Sequence, residues 1–246
     1  MVLDVLVANA AAPNELFVGD GGGGFTPTPS SNFIDGGRPT GMAVGDVTGD
    51  GAIDVFVGNS DTPDLFLVND GTGVFVDQAA GVGLSAATTD GFGAVIMDAD
   101  LDGDLDVVVG AGAALTARFL RNDGGVFVDS SSRFGLVETG TTLGLTSGDL
   151  DADGDLDILL PHAGVMYSNQ HTAPGVLNFV TVRPVTPAGS PSVFGAAVTV
   201  SGDTWSVLRV IDGGSGLASQ TAYDAHFGLP PAAAALNVSV LWPGGA

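Results

Sequence analysis

The sequence predicts an all-β chain of propeller-type blades, forming a partial ring, followed by a small all-β module. Three observations predict it. A segment of about fifty residues recurs in register along the first part of the chain. Each recurrence divides into four short apolar strands separated by Gly, Asn and Asp turns. No stretch carries a convincing 3.6-residue apolar period, so helices are not expected.

The repeat shows best at three acidic segments. Asp46-Val47-Thr48-Gly49-Asp50-Gly51-Ala52-Ile53-Asp54 aligns with the segments Asp98 to Asp106 and Asp149 to Asp157. Their last aspartates fall at 54, 106 and 157, and counting back by 50 from Asp54 reaches Asp4 in Leu3-Asp4-Val5-Leu6-Val7. The opening residues therefore read as the tail of a fourth copy, and the native chain is expected to start earlier than Met1. After each acidic segment comes an apolar strand, then a second one ending in a turn (Glu15 to Gly21, Asp64 to Gly71, Arg118 to Gly124). Asn-Asp-Gly between apolar residues is a hairpin signal, because these residues tolerate positive φ. A third strand follows at Gly73 to Asp77 and at Gly125 to Asp129. A fourth, Gly91 to Ile96 or Leu143 to Ser147, leads into the next acidic segment.

From about Gly175 the acidic segments stop. Alternating runs at 178–183, 196–200, 206–211 and 236–242 predict a second β module. The expected domains are 1–174 for the repeats and 175–246 for the module, whose end at Ala246 just after a strand suggests a clipped C-terminus.

Composition narrows the function. The chain of 246 residues has 28 acidic and 6 basic residues, a net charge of −22, and 45% hydrophobic residues. All basic residues are arginine, and of the acids only Glu15 and Glu138 are glutamate. So strong a preference for the shorter acid points to turns and metal loops, where a short carboxylate reaches its own backbone or an ion. The charge argues against nucleic acid or an anionic membrane as partner; adaptation to high salt is the competing explanation for it. There is no cysteine, no apolar run near the roughly 18 residues of a membrane span, and no signal peptide at Met1, where a basic n-region is lacking.

Numbered from its first aspartate, each acidic loop places oxygen ligands at positions one, three and five: Asp46, Thr48 and Asp50; Asp98, Asp100 and Asp102; Asp149, Asp151 and Asp153. A glycine at position six (Gly51, Gly103, Gly154) permits the sharp bend. The position-seven carbonyl (Ala52, Asp104, Asp155) and the position-nine carboxylate (Asp54, Asp106, Asp157) are expected to close the shell, with the side chains of Asp104 and Asp155 turned to water. Two carboxylates about 4 Å apart repel by about 4 kcal/mol at an effective dielectric of about 20. With no lysine in the chain and no arginine inside any loop, the expected compensation is a divalent cation. All-oxygen ligation selects Ca2+, about three ions, over zinc, copper or magnesium. A helix-loop-helix site is excluded, because its position-twelve glutamate is replaced by Val57, Val109 and Leu160. Loop one, with neutral Thr48, is expected to bind more weakly than loops two and three.

These residues resemble a known family. The pattern Asp-x-Asp-x-Asp-Gly-x-x-Asp, preceded by Phe92-Gly93 and followed by Val107 to Gly112, is similar to the FG-GAP/VCBS-like repeats of integrin-type β-propellers. The stretch Asp64 to Leu84 resembles the subtype found beside an ASPIC/UnbV module. Gly195 to Val200, Gly213 to Gln220, His226-Phe227-Gly228-Leu229 and Trp242 to Gly245 resemble that module itself, the architecture of the cartilage acidic protein group. The resemblance implies an extracellular or cell-surface, calcium-stabilised propeller in adhesion or matrix association, partnered by a protein or glycan, with no catalysis. It departs at Thr48 and in repeat number, since such rings usually hold about seven blades. Unpaired strand edges then make self-association expected, as a surface or fibre subunit. A carbohydrate-binding propeller is the other alternative, with Trp205, Trp242, Tyr167 and Tyr223 as its few aromatics.

Other candidates read as structural. His162, His171 and His226 lack ligand spacing, and His226 is expected to be a hydrogen-bonding residue. Ser215 and Ser219 are not in a Gly-x-Ser-x-Gly elbow. Gly21 to Gly24 has no lysine or helix start after it and reads as a hairpin tip. Asn237-Val238-Ser239 matches a glycosylation acceptor but is read as lying mid-strand.

Overall fold

A computed structural model describes residues 2–10, 12–28, 37–84, 91–112, 115–132, 134–136, 140–161, 165–170, 179–186, 189, 193–213, 215–230 and 236–243. The first part forms four successive antiparallel sheets. β1 (Val5–Val7), β2 (Glu15–Gly19) and β3 (Phe25–Pro27) make one; β4 (Pro39–Gly45), β5 (Asp54–Asn59), β6 (Leu65–Asn69) and β7 (Phe75–Asp77) make the next. β8 (Gly91–Met97), β9 (Asp106–Ala111), β10 (Arg118–Asn122) and β11 (Phe127–Asp129) repeat that meander, and β12 (Thr146–Gly148), β13 (Asp157–Leu160) and β14 (Val165–Tyr167) follow. These are propeller-type blades. Their phase differs from the sequence reading in one respect: the strand before each acidic loop belongs to the same sheet as the strand after it. Pairing Gly45 with Asp54, Met97 with Asp106 and Gly148 with Asp157 makes each loop the hairpin between a blade's first two strands.

The unbroken apolar runs after the loops follow from burial on both faces. In β5, Val55 and Val57 pack with Leu16, Leu67 and Phe75 toward the first sheet, while Phe56 packs with Phe66, Val107 and Phe127 toward the third. In β9, Val107 and Val109 face back to the second sheet, and Val108 faces Phe119, Ile158 and Leu160 in the fourth. Each such side chain contributes about 1.5–3 kcal/mol, which is why a strand between two blades does not alternate.

Leu143 to Leu145, expected as strand, lies outside β12. Its carbonyls are engaged elsewhere: Leu143 O accepts the Gly93 N–H at 3.0 Å, and Leu145 O accepts the Ser219 hydroxyl at 2.7 Å. The hairpin tips also correct a detail. Asn69 and Asp70 do not adopt positive φ; Gly71 (+80°) and Gly73 (+87°) do. Asn69 Oδ1 accepts from Gly71 N and Gly73 N, and Asp70 Oδ1 accepts from Thr72 N. Gly21 and Gly23 form such a tip between β2 and β3, where Asp20 accepts the Gly22 and Gly24 amides.

The C-terminal strands have their own core of Val198, Val200, Ala225, Phe227 and neighbours. β15 (Phe179–Val182) pairs with β18 (Ala225–Gly228); β16 (Ala197–Ser201) lies between β17 (Ser206–Val210) and β19 (Asn237–Leu241). β18 was not expected, since four consecutive buried residues show no alternation. Asn237 opens β19 rather than lying inside it, and is exposed. The expected boundary between 174 and 175, His162 and His171 lie outside the described residues. Among the described residues no helix is long and apolar enough to cross a membrane.

Candidate metal centres

The three loops share a backbone that the sequence shows only in part. Position six is left-handed in each, with φ of +88° at Gly51 and +100° at Gly103 and Gly154. Position four is left-handed too. Loop one places Gly49 there (+72°), but loops two and three place Leu101 (+60°) and Ala152 (+64°), which costs a residue with a Cβ about 1–2 kcal/mol. At position five the carboxylate accepts the position-seven amide: Asp50 from Ala52 at 2.8 Å, Asp102 from Asp104 at 2.9 Å, Asp153 from Asp155 at 3.2 Å.

Position nine is engaged with the backbone. Asp106 Oδ2 accepts Ala99 N at 2.9 Å, and its Oδ1 accepts Asn122 N at 2.8 Å. Asp157 does the same with Leu150 N and Asn169 N, both at 2.8 Å. Asp54 binds Val47 N, Thr48 N and Asn69 N. The asparagine completes the staple. Asn122 Nδ2 donates to Leu105 O in its own blade and to Val47 O in the preceding loop; Asn169 Nδ2 likewise reaches Leu156 O and Ala99 O. In loops two and three this Asp–Asn pair ties the loop to its own hairpin and to the loop before it. In the sequence the asparagines looked like turn residues only; their recurrence at the end of each blade's third strand was the available signal.

Loops two and three bring positions one, three and five together. One carboxylate oxygen from each of Asp98, Asp100 and Asp102 lies within 4.8 Å of the others, and Asp149, Asp151 and Asp153 form the same group. Asp106 and Asp157 stand outside these groups. Loop two is the more buried, with Asp98 only 1% exposed, whereas all three carboxylates of loop three are exposed. In loop one, Asp46 is buried, Asp46 Oδ2 accepts Gly51 N at 3.1 Å, and Asp54 Oδ2 accepts Thr48 N at 3.0 Å.

The expectation that no arginine compensates these loops is overturned by tertiary structure. Arg209 of β17, itself buried, reaches Asp98 Oδ2 at 3.4 Å, and Arg121 of β10 lies 3.7 Å from Asp100 Oδ2. The chain folds distant cations onto the loop. Each arginine takes one oxygen. The other oxygens, Asp98 Oδ1 and Asp100 Oδ1, are buried without a hydrogen-bond partner among the described residues, as is Asp46 Oδ1. Desolvation pushes Asp106 up to about 8 and Asp102 up to about 6, and it raises Asp98, Asp46 and Asp54 as well. Burial thus disfavours the charged form of these carboxylates, and positive charge entering the loop opposes that shift. The Asp155 side chain is buried rather than turned to water, next to Gly154, which Phe179 and His226 cover. Asp104 Oδ2 accepts Gly124 N at 3.1 Å.

Two substitution pairs separate these roles. Asp106→Asn places an amide NH2 against backbone donors and is expected to destabilise the metal-free chain by about 2 kcal/mol in urea denaturation. Asp100→Asn is expected to change the metal-free chain by less than about 0.5 kcal/mol. A methyl group at Gly154 would meet the Phe179 ring at 2.2 Å, so Gly154→Ala is expected to cost about 3 kcal/mol. Gly103→Ala shares the φ but has no atom nearer than 4.0 Å and is expected to cost about 1–2 kcal/mol by the same measurement.

The remaining candidates are occupied structurally. Ser215 Oγ bonds to Asp212, Ser219 Oγ to Leu145 O, and His226 Nε2–H donates to Gly154 O at 3.0 Å while its ring stacks on Phe179.

Comparison with known proteins agrees with this geometry. The family model described as FG-GAP-like repeat matches residues 2–57, 46–109 and 98–160, and the model described as ASPIC and UnbV matches residues 186–246. Cartilage acidic protein 1 of Mus musculus is 29% identical over 266 residues, covering 98% of this chain and 40% of the mouse protein. Its namesake in Xenopus tropicalis is 26% identical, covering 87% and 43%, and that of Homo sapiens is 26% identical, covering 85% and 41%. The chain thus spans about two fifths of the length of these curated relatives. With matches running through its acidic hairpins from residue 2 to residue 160, the chain belongs to the FG-GAP-like repeat family, and carries an ASPIC and UnbV region after the repeats.

Proposed function

We propose that this chain is a calcium-binding, extracellular structural or adhesive β-propeller protein, with no catalytic activity. Ions at the acidic loops stiffen the blades, and the exposed surfaces meet a protein or glycan of a surface or matrix. The observation that carries the reading is in loop two: Asp98 and Asp100 each turn one oxygen to an arginine and leave the other buried without a partner, grouped with Asp102. A buried carboxylate oxygen with no donor costs several kcal/mol unless a cation meets it. The donors are all oxygen, which suits calcium. Asp98, Asp100 and Asp102 would hold the ion of loop two, Asp149, Asp151 and Asp153 that of loop three, and Asp46 and Asp50, with Thr48, that of loop one. Ala52, Asp104 and Asp155 would add their carbonyls, and Asp54, Asp106 and Asp157 a further oxygen beside their backbone bonds. A bound Ca2+ would supply two positive charges to a site whose burial disfavours carboxylate charge.

The extracellular setting rests on the relatives, which are named for cartilage and for acidity, and on this chain's own net charge of −22. Residues 1–174 and 175–246 are taken as its two units. The test is metal content after gel filtration in calcium buffer. About three ions per chain are expected, falling by one in the double variant Asp98→Asn, Asp100→Asn; a chain that retains none overturns the reading.

A further inference from the structure

The three loops are alike in sequence, yet the C-terminal strands grip only two of them among the described contacts. In loop two, Arg209 Nη2 donates to the position-six carbonyl, Gly103 O, at 3.0 Å and also reaches Asp98. In loop three, His226 Nε2–H donates to the same position-six carbonyl, Gly154 O, at 3.0 Å. Gly228 N donates to Asp98 Oδ2 at 2.9 Å, and a side chain at Gly228 would strike the Leu101 backbone at about 2.5 Å. Thus the single strand β18 touches both loops: His226 meets loop three, Gly228 meets loop two, and Phe227 between them is buried under Arg209 at 5.4 Å. At Gly51 of loop one no atom lies within 4 Å of where a Cβ would sit.

We infer that His226-Phe227-Gly228 and Arg209 form a clasp that positions the acidic loops two and three for calcium, so that ion binding at these loops and seating of the C-terminal strands on the blades stabilise each other. The inference rests on the calcium reading given above.

The physics is mutual. The Gly228 amide and the Arg209 guanidinium hold Asp98 Oδ2, which aims Oδ1 into the loop without competing for it. The clasped carbonyls fix the left-handed residue at position six, on which convergence of the carboxylates depends. In the metal-free state the grouped carboxylates repel and strain the loop open. An opened loop two withdraws Gly103 O and Asp98, and an opened loop three withdraws Gly154 O; the clasp then loses its anchors. A ligand that favours one of two states shifts that equilibrium, and the seated state raises ion affinity by the same factor. A cavity of about 320 Å³, lined by Asp98, Asp149, Arg209 and His226 among others, lies between blades and clasp.

Two measurements test this. Calcium titration by calorimetry on the full chain compares wild type with His226→Phe, which keeps an aromatic ring against Phe179 but removes the donor, and with Gly228→Ala. His226→Phe is expected to weaken one calcium site at least tenfold, and Gly228→Ala a different one. Isotherms superimposing on wild type in both variants overturn the clasp. The second needs no variant: hydrogen exchange of wild type in calcium and in EDTA. Peptides covering 206–210 and 225–228 are expected to exchange at least tenfold faster in EDTA. If calcium binds and those peptides exchange at one rate in both buffers, the clasp fails while the calcium reading stands. If wild type binds no calcium at all, both fall.

Discussion

Transfer from calcium buffer to EDTA is expected to lower the melting temperature by at least about 10 °C. An ion that binds only the folded chain, present at about a hundredfold over its dissociation constant, adds about 2.7 kcal/mol per site. For a chain of this size, 1 kcal/mol corresponds to about 2–4 °C. Three equal sites would therefore shift melting by about 15–30 °C, and the loops are not equal. Loop three holds its carboxylates in solvent, where screening weakens each contact. Loop one has neutral Thr48 in place of an acid at position three. Loop two, with Asp98 and Asp100 buried on one oxygen each, is expected to supply the largest share. Scanning calorimetry reads the shift directly, and magnesium at the same concentration is expected to restore less than about half of it, since its octahedral demand fits a flexible carboxylate loop poorly. Equal melting in both buffers would remove the calcium contribution.

Gly93→Ala is expected to destabilise the chain by about 3 kcal/mol, and Gly93→Val to leave little folded protein. A methyl group at Gly93 would lie 2.6 Å from Leu143 O and 2.7 Å from Leu217 N. Both are backbone atoms, so no rotamer change relieves the clash. The Gly93 amide also donates to Leu143 O, which joins the first strand of one blade to the segment entering the next. On the far side, Leu217 belongs to the Ser215 to Gln220 segment, which is tied to the blades by Ser219 Oγ on Leu145 O and by Thr146 Oγ1 donating to Gln220 O at 2.9 Å. One side chain at this point pushes three segments apart. Gly124→Ala is the control: its φ is +63° and nothing lies within 4 Å, so about 1 kcal/mol is expected from backbone strain alone. Urea denaturation midpoints in EDTA compare the two without interference from ions.

Much of this molecule is local in origin, and so was legible in the residues. The recurring Asp-x-Asp-x-Asp-Gly loops, the left-handed bend at Gly51, Gly103 and Gly154, and the β-hairpins at Asn69 to Gly73 and Asn122 to Gly125 are all decided by neighbours a few positions apart. Repetition made them stronger, since a chance acidic turn does not return in register. The apolar runs of β5 and β9 were read as strands, and their lack of alternation fits the burial on both faces that blades stacked side by side require.

What the sequence could not determine is set by contacts across long separations. Nothing near Asp98 in the chain announces Arg209, 111 residues away, or the Gly228 amide, 130 residues away. The double role of Asn122 and Asn169, holding their own blade and the loop of the blade before, exists only once blades are stacked. Leu101 and Ala152 at a left-handed position contradict local preference, and a loop shape imposed from outside by position-nine carboxylates and paired strand ends overrides it. The residues by themselves determined where negative charge gathers and how the chain bends around it. Only the tertiary structure decided how that charge is shared between arginines, amides and the oxygens left for an ion, because electrostatic partners are chosen by distance in space and not by distance along the chain.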